Sequence, residues 1–224
     1  MPRIALPAQH FTTMTAAAVP LAGWALHTRA LRRRLETARR DPLTGLYGRD
    51  AFTAAATRLI HRSPLALVVL IDLDGFKALN DTAGHAAGDA VLAHVASRLD
   101  GWATSGAAGR FGGDEFTAVL PLNDGDTDGE DGPLTELSWL HYTLTKPVPH
   151  GGDLLPVGAS IGGYLTTPDT PLTGALTAAD AAMYAAKRTG GGWDLTAAQA
   201  LTRPGAAPRR WRRNRPGTLA GWAA

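Results

Sequence analysis

Seven consecutive apolar residues, Leu65 to Ile71, are followed by Asp72 and Leu73. A continuous apolar run of this length predicts a strand over 65–73 that is buried on both faces. Asp50 stands where it can cap a helix over about 51–61. Residues 75–80 read as a short helical turn, with Gly84 and Gly88 punctuating the loop after it. Asp89 then opens an amphipathic helix carrying Val91, Leu92, Val95 and Leu99 on one face. Phe111 and Phe116 flank a Gly-Gly turn, the pattern of a β-hairpin. Further on, the spacing predicts a helix over 134–144 and a strand over 154–165 containing Gly158, Gly162 and Gly163. An alanine-rich helix over 174–188 and a short strand around Trp193 close the pattern.

The two ends read differently. Residues 14–26 are apolar and small, but the run is short of the ~20 residues a spanning helix needs and contains Pro20 and Gly23. Residues 11–28 therefore read either as a membrane-contacting segment or as a surface or partner-binding helix. Arg32–Arg34 would lie on the cytoplasmic side in the first case. Leu21, Trp24, Thr28, Leu31, Leu35 and Ala38 make a heptad stripe of fewer than three repeats, which would suit dimerisation. Residues 123–133 form an acidic, glycine-rich loop expected to be mobile, and the Pro/Gly/Arg-rich stretch from 203 onward is expected to be disordered. The domain expectation is an N-terminal helix over 1–40, a folded domain over 41–202 and a basic tail over 203–224.

Charge sharpens this division. Residues 41–202 carry 9 Lys/Arg against 19 Asp/Glu, a net of −10. The flanks carry 13 Lys/Arg against Glu36 alone, a net of +12. The basic balance thus sits in the ends and argues against a nucleic-acid-binding core, so no specific nucleic acid is expected as a partner. No cysteine is present, which excludes disulfides and cysteine zinc sites.

Two acidic stretches carry the candidate chemistry. Asp72-Leu73-Asp74 ends the buried strand, and Asp114-Glu115 follows the Gly-Gly turn about forty residues later. Carboxylates at a strand end and in a glycine turn make poor core. They make good ligands for a hard cation, since Mg²⁺ takes a few carboxylates together with phosphate oxygens. The pattern points to an enzyme that handles a nucleotide–metal complex.

Four stretches in order resemble the GGDEF domains, the diguanylate cyclase family. They are Asp41-Pro42-Leu43-Thr44-Gly45-Leu46; Asp72 to Asp81, continuing to Gly84-His85 and Gly88-Asp89; Arg110-Phe111-Gly112-Gly113-Asp114-Glu115-Phe116; and Ala179 to Lys187. The resemblance covers about residues 41–191. It implies a single α/β domain with a central, mostly antiparallel sheet flanked by helices, similar to nucleotide cyclase and polymerase palm domains. It implies a cytoplasmic catalytic domain that condenses two GTP into cyclic di-GMP, releases two pyrophosphates, and works as a homodimer with Mg²⁺ or Mn²⁺.

Residue by residue, the resemblance makes Asp72, the Leu73 carbonyl and Asp114 the metal ligands and Glu115 the group that activates or positions the 3′-hydroxyl. It makes Asn80 and Asp89 the readers of guanine and Lys77, Phe76 and Lys187 phosphate contacts. It puts Gly112 and Gly113 close to the nucleotide and Arg110 beside it. Taken alone, Asp89 would be a helix cap, Asn80 a helix-end residue and Arg110 a surface ion pair.

The chain departs from the family pattern in three places. Gly191 stands where a phosphate-binding arginine is usual, a loss of about 1.5–3 kcal/mol for one charge-assisted contact. Ala103 and Gly106 replace the charged pair of the product-inhibition site, so product binding there is not expected. Gly48 replaces an asparagine before Arg49. The Gly191 departure motivates an alternative, a catalytically weak or inactive GTP-binding module. Arg209 to Arg215 around Trp211 motivate another, a nucleic-acid-binding tail, and a phosphodiesterase is disfavoured.

Overall fold

The computed structural model describes Trp24, residues 40–122, residues 132–197 and the backbone of 211–212. The chain divides into two units, Met1–Arg40 and Asp41–Ala224. In the first, Trp24 is helical and exposed. The remaining residues of the apolar run and the heptad stripe lie outside the described residues, as do the acidic loop over 123–131 and nearly all of the basic tail. Among the described residues no helix is long and apolar enough to cross a membrane.

The second unit runs α1 (Arg49–Arg62), β1 (Leu65–Asp74), α2 (Phe76–Ala83), α3 (His85–Trp102), β2 (Ala107–Gly112), β3 (Glu115–Leu122) and α4 (Pro133–Leu144). It continues with β4 (Val148–His150), β5 (Asp153–Leu155), β6 (Gly158–Thr166), α5 (Leu172–Arg188), β7 (Gly192–Ala197) and β8 (Trp211–Arg212). The main sheet has the order β2-β3-β1-β6-β7-β8. Every pairing is antiparallel except β6–β7, so the sheet is mostly antiparallel as expected. β4 and β5 form a separate hairpin.

β1 is central, and its period-two alternation feeds two helical layers. Leu67, Val69, Ile71 and Leu73 pack into one cluster with Val91, Val95 and Leu99 of α3 and Leu137 and Leu140 of α4. Ala66 and Val68 pack into the other with Phe52 and Ile60 of α1 and Leu172 and Ala175 of α5. The same alternation carries Leu70, Asp72 and Asp74 onto the α1/α5 side, where the sheet runs out of apolar cover and the acidic residues begin.

Several boundaries differ from the sequence expectation, each for a local reason. Gly84, at φ +85°, ends α2 and starts α3 with no loop between them. α3 therefore begins at His85, and Asp89 lies inside its second turn rather than capping it. α1 begins at Arg49 with Gly48 at its N-cap, which places Asp50 in the first turn, where it still favours the helix dipole. The strand expected over 154–165 is broken at Pro156-Val157 into β5 and β6. Pro156 has no amide to donate to a ladder. In β6, a Cβ at Gly162 would overlap the Ala179 carbonyl and the Met183 amide, so this glycine lets α5 lie with its backbone against the sheet. That close approach brings the C-terminal end of α5 to the end of β1.

Candidate active site

The β1 end and the β2–β3 hairpin meet side by side. Asp72 is the direct cross-strand partner of Glu115, and the Leu73 amide donates to the Asp114 carbonyl at 3.4 Å. Directly opposed residues of an antiparallel pair share a face, and like charges there repel. Register thus sets the Asp72 and Glu115 carboxylates on one face, and the backbone bond from Leu73 keeps Asp114 next to them in the chain.

Lys187 supplies a cation. Its Nζ, at the end of α5, donates to Asp72 Oδ1 at 2.6 Å. That hydrogen bond, opposed by partial burial and aided by the fields of Asp72, Asp74 and Asp114, raises the Lys187 ammonium above its ordinary value. An ammonium is a compact cation, and here it is paired with the Asp72 carboxylate. Among the described residues no group of three or more acidic or histidine side chains forms a closed metal cage. An open set of two carboxylates and one carbonyl is nevertheless what Mg²⁺ uses when substrate phosphates complete its shell. The carboxylate chemistry of Asp72 and Asp114 therefore suits a hard divalent cation.

The hairpin turn is fixed from outside. Gly112 at φ +141° and Gly113 at φ +52° occupy conformations that side chains rarely adopt. No atom lies within 4 Å of a Cβ built at either position, so the backbone conformation is what demands glycine within the chain itself. Arg110 donates through Nε and Nη2 to the Gly113 carbonyl at 3.0 and 2.7 Å, and through Nη1 to Asp41 at 3.1 Å. All three guanidinium nitrogens are engaged inside the protein, so Arg110 contributes to the site through the turn it holds. Burial would raise the Asp41 carboxyl, but hydrogen bonds from the Thr44 hydroxyl and amide and from Arg110, with the arginine's charge, hold it below the usual range.

Asp74 is a residue whose setting the sequence did not reveal. Ser160 on β6 donates to Asp74 Oδ1 at 2.8 Å. The loop after α5 passes the other oxygen: Gly191 sits at φ +92°, and a Cβ there would stand 2.7 Å from Asp74 Oδ2. Glycine at 191 thus suits the local backbone, and an arginine there would be strained at this φ and would push Asp74 Oδ2 aside. The signal in the sequence was the run Gly190-Gly191-Gly192, where all three residues have positive φ.

The expected base-reading residues lie on α2 and α3. A Cβ at Gly88 would overlap Asn80 Oδ1, so Gly88 is the seat on which the Asn80 amide rests, one residue before Asp89. Asp89 and Lys77 are exposed and Phe76 is half-buried. Lys77 makes no ion pair among the described residues. The expected residues thus fall into two groups, one at the β1–hairpin junction (Asp72, Leu73, Asp114, Glu115, with Lys187) and one on α2–α3.

Residues 38–192 match the family described as diguanylate cyclase, GGDEF domain. An uncharacterised 19.3 kDa protein in the repSA 5′ region of Streptomyces ambofaciens is 52% identical over 173 residues, which cover 75% of this chain and 89% of that one. Diguanylate cyclase DgcN of Escherichia coli is 35% identical over 159 residues, covering 68% of this chain and 38% of that protein. Among solved structures, the coiled coil and GGDEF domain of DgcB from Caulobacter crescentus, in complex with c-di-GMP, superposes with a TM-score of 0.65 at 28% identity, covering 82% of this chain and all of that one. Signature, family match and relatives agree, and the chain belongs to the GGDEF family.

Proposed function

We propose that this chain is a diguanylate cyclase: two GTP molecules, one on each of two facing copies, are joined into cyclic di-GMP with release of two pyrophosphates. The observation that supports this best is the cross-strand pair Asp72–Glu115 with Asp114 beside it, an acidic cluster that needs a cation and has oxygen donors suited to a divalent one. Mg²⁺ or Mn²⁺, when bound, would neutralise the triphosphate and the charge that develops on it.

The chain's own residues would do the rest. Asn80 can donate to and accept from guanine, and Asp89 accepts from its N1–H and N2–H. Lys77 and Lys187 meet the phosphates, which requires Lys187 to leave Asp72. The 3′-oxygen of one nucleotide attacks the α-phosphorus held by the other copy, and the bond to the β-phosphate oxygen breaks. Pyrophosphate leaves, and the hydroxyl proton passes to Glu115 or to water. A second such step closes the ring. We place this chemistry in the cytoplasm, with dimerisation and any membrane contact assigned to residues 1–40.

Gly191 favours a second reading, a GTP-binding module of weak or no turnover, because the position cannot carry the usual phosphate arginine without moving Asp74. Incubation of the purified chain with GTP and Mg²⁺ separates the two. Formation of cyclic di-GMP that is lost in Asp114→Ala supports the cyclase, and tight GTP binding without product supports the module.

A further inference from the structure

Condensation needs two nucleotides, and the residues described above would hold one of them on each domain. Beside Glu115 a separate cleft of about 300 Å³ opens between α1, α5 and the β2–β3 hairpin. Its charged and hydroxyl-bearing lining is Glu115, Arg49, Thr177 and Asp180, with Phe111 and Met183 among its apolar walls. None of Phe76, Lys77, Asn80 or Asp89 lines it, so the expected guanine site lies elsewhere. The Arg49 guanidinium lies 4.1 Å from the centre of the Phe111 ring. Among the described residues neither Arg49 nor Asp180 forms an ion pair, and both are exposed.

We propose that this cleft takes the ribose of the attacking nucleotide, presented by a second copy of the chain, and that Asp180 accepts a hydrogen bond from its 2′-hydroxyl. This rests on the condensation reading above. If Glu115 receives the 3′-hydroxyl proton, that hydroxyl must come within ~2.6–3.2 Å of it. The nucleotide bonded to this domain's own phosphate-holding residues presents its α-phosphorus, so the hydroxyl arrives from the other copy. Its ribose then enters the space that Glu115 lines, and the neighbouring 2′-hydroxyl meets whatever stands next to Glu115. An ionised carboxylate is an acceptor only, so it takes the hydrogen bond that a ribose hydroxyl can donate, and acidic side chains read ribose hydroxyls in the same way in dinucleotide-binding folds. Arg49, fixed on Phe111, offsets the charge of Glu115 and Asp180 at the mouth. The volume sits at the low end of ~300–1,000 Å³ for ligand pockets, which suits a sugar and not a whole nucleotide.

The test compares GTP with 2′-deoxyGTP as substrate for the full chain and for Asp180→Ala, alongside binding of a non-hydrolysable GTP analogue to each. Wild type should turn over GTP about 10- to 100-fold faster than 2′-deoxyGTP, the worth of one hydrogen bond to a charged group. In Asp180→Ala the preference should collapse through loss of GTP turnover, with 2′-deoxyGTP turnover and analogue binding held within about twofold. Should the alanine variant fail to fold, Asp180→Leu, of similar size and without an acceptor, repeats the comparison. An unchanged GTP preference in a variant whose wild type makes product overturns the subsite and leaves the cyclase reading standing. Loss of analogue binding in parallel with turnover also overturns it, since Asp180 would then serve its own domain's nucleotide. A wild type that makes no product removes both.

Discussion

Lys187 Nζ donates a 2.6 Å hydrogen bond to Asp72 Oδ1 across 115 residues of sequence, so a cation already occupies the carboxylate expected to bind metal. Lys187 is half exposed, and a pair of this kind is worth about 0.2–1 kcal/mol. Lys187→Met should therefore tighten Mn²⁺ binding to the nucleotide-free protein by about two- to fivefold while weakening GTP binding. Calorimetric titration with Mn²⁺ and with a GTP analogue checks both. Equal weakening of both ligands would show that Lys187 supports Asp72 rather than competing for it.

Gly191→Arg should not restore the phosphate contact that the family pattern places there. The φ of +92° and a Cβ 2.7 Å from Asp74 Oδ2 oppose the side chain. We expect a loss of about 1–3 kcal/mol in urea denaturation and no gain in GTP affinity. A variant with wild-type stability and tighter GTP would show that the loop adapts.

The Asp41–Arg110 pair ties the opening turn to the signature turn. Asp41→Asn should cost about 1–3 kcal/mol near neutral pH, because Arg110 keeps only the Gly113 carbonyl as a full partner. The folded carboxyl titrates below its unfolded value of 3.8, so its stabilisation is present above that pH and is lost as pH falls through the folded value. The gap between wild type and Asp41→Asn in urea midpoints should therefore be widest near neutrality and close below pH 3.8. A gap that is constant with pH would remove the carboxylate from the explanation.

Gly88→Ala should act on the proposed guanine site, since a Cβ there overlaps Asn80 Oδ1. The expected result is a rise of about tenfold or more in the GTP dissociation constant, the worth of one hydrogen-bonded contact or more, and a smaller effect on the binding of inorganic triphosphate. Equal losses for both ligands would place Asn80 away from the base.

Much of this was legible because it is local. The apolar run of β1 and the Gly-Gly hairpin are written in consecutive residues, and the carboxylates Asp72 and Asp114 follow from where those elements end. Helix starts were less legible. Asp89 and Asp50 have capping chemistry, but Gly84 and Gly48 precede them and set the first turn earlier. The side-chain partnerships were hidden, because Lys187–Asp72, Ser160–Asp74 and Arg110–Asp41 each join residues 69 or more apart. The cleft beside Glu115 depends on how closely α5 lies on β6, which a single glycine, Gly162, controls.

The most direct measurement is a time course of the purified full chain with GTP and Mg²⁺, following cyclic di-GMP and pyrophosphate together. We expect two pyrophosphates per cyclic di-GMP, a rate that rises more steeply than protein concentration while dimers form, and no product from Asp114→Ala. Absence of cyclic di-GMP from wild type at concentrations where the chain is dimeric, or its undiminished formation by Asp114→Ala, would contradict the assignment of Asp72, Asp114 and Glu115 as the centre of the reaction.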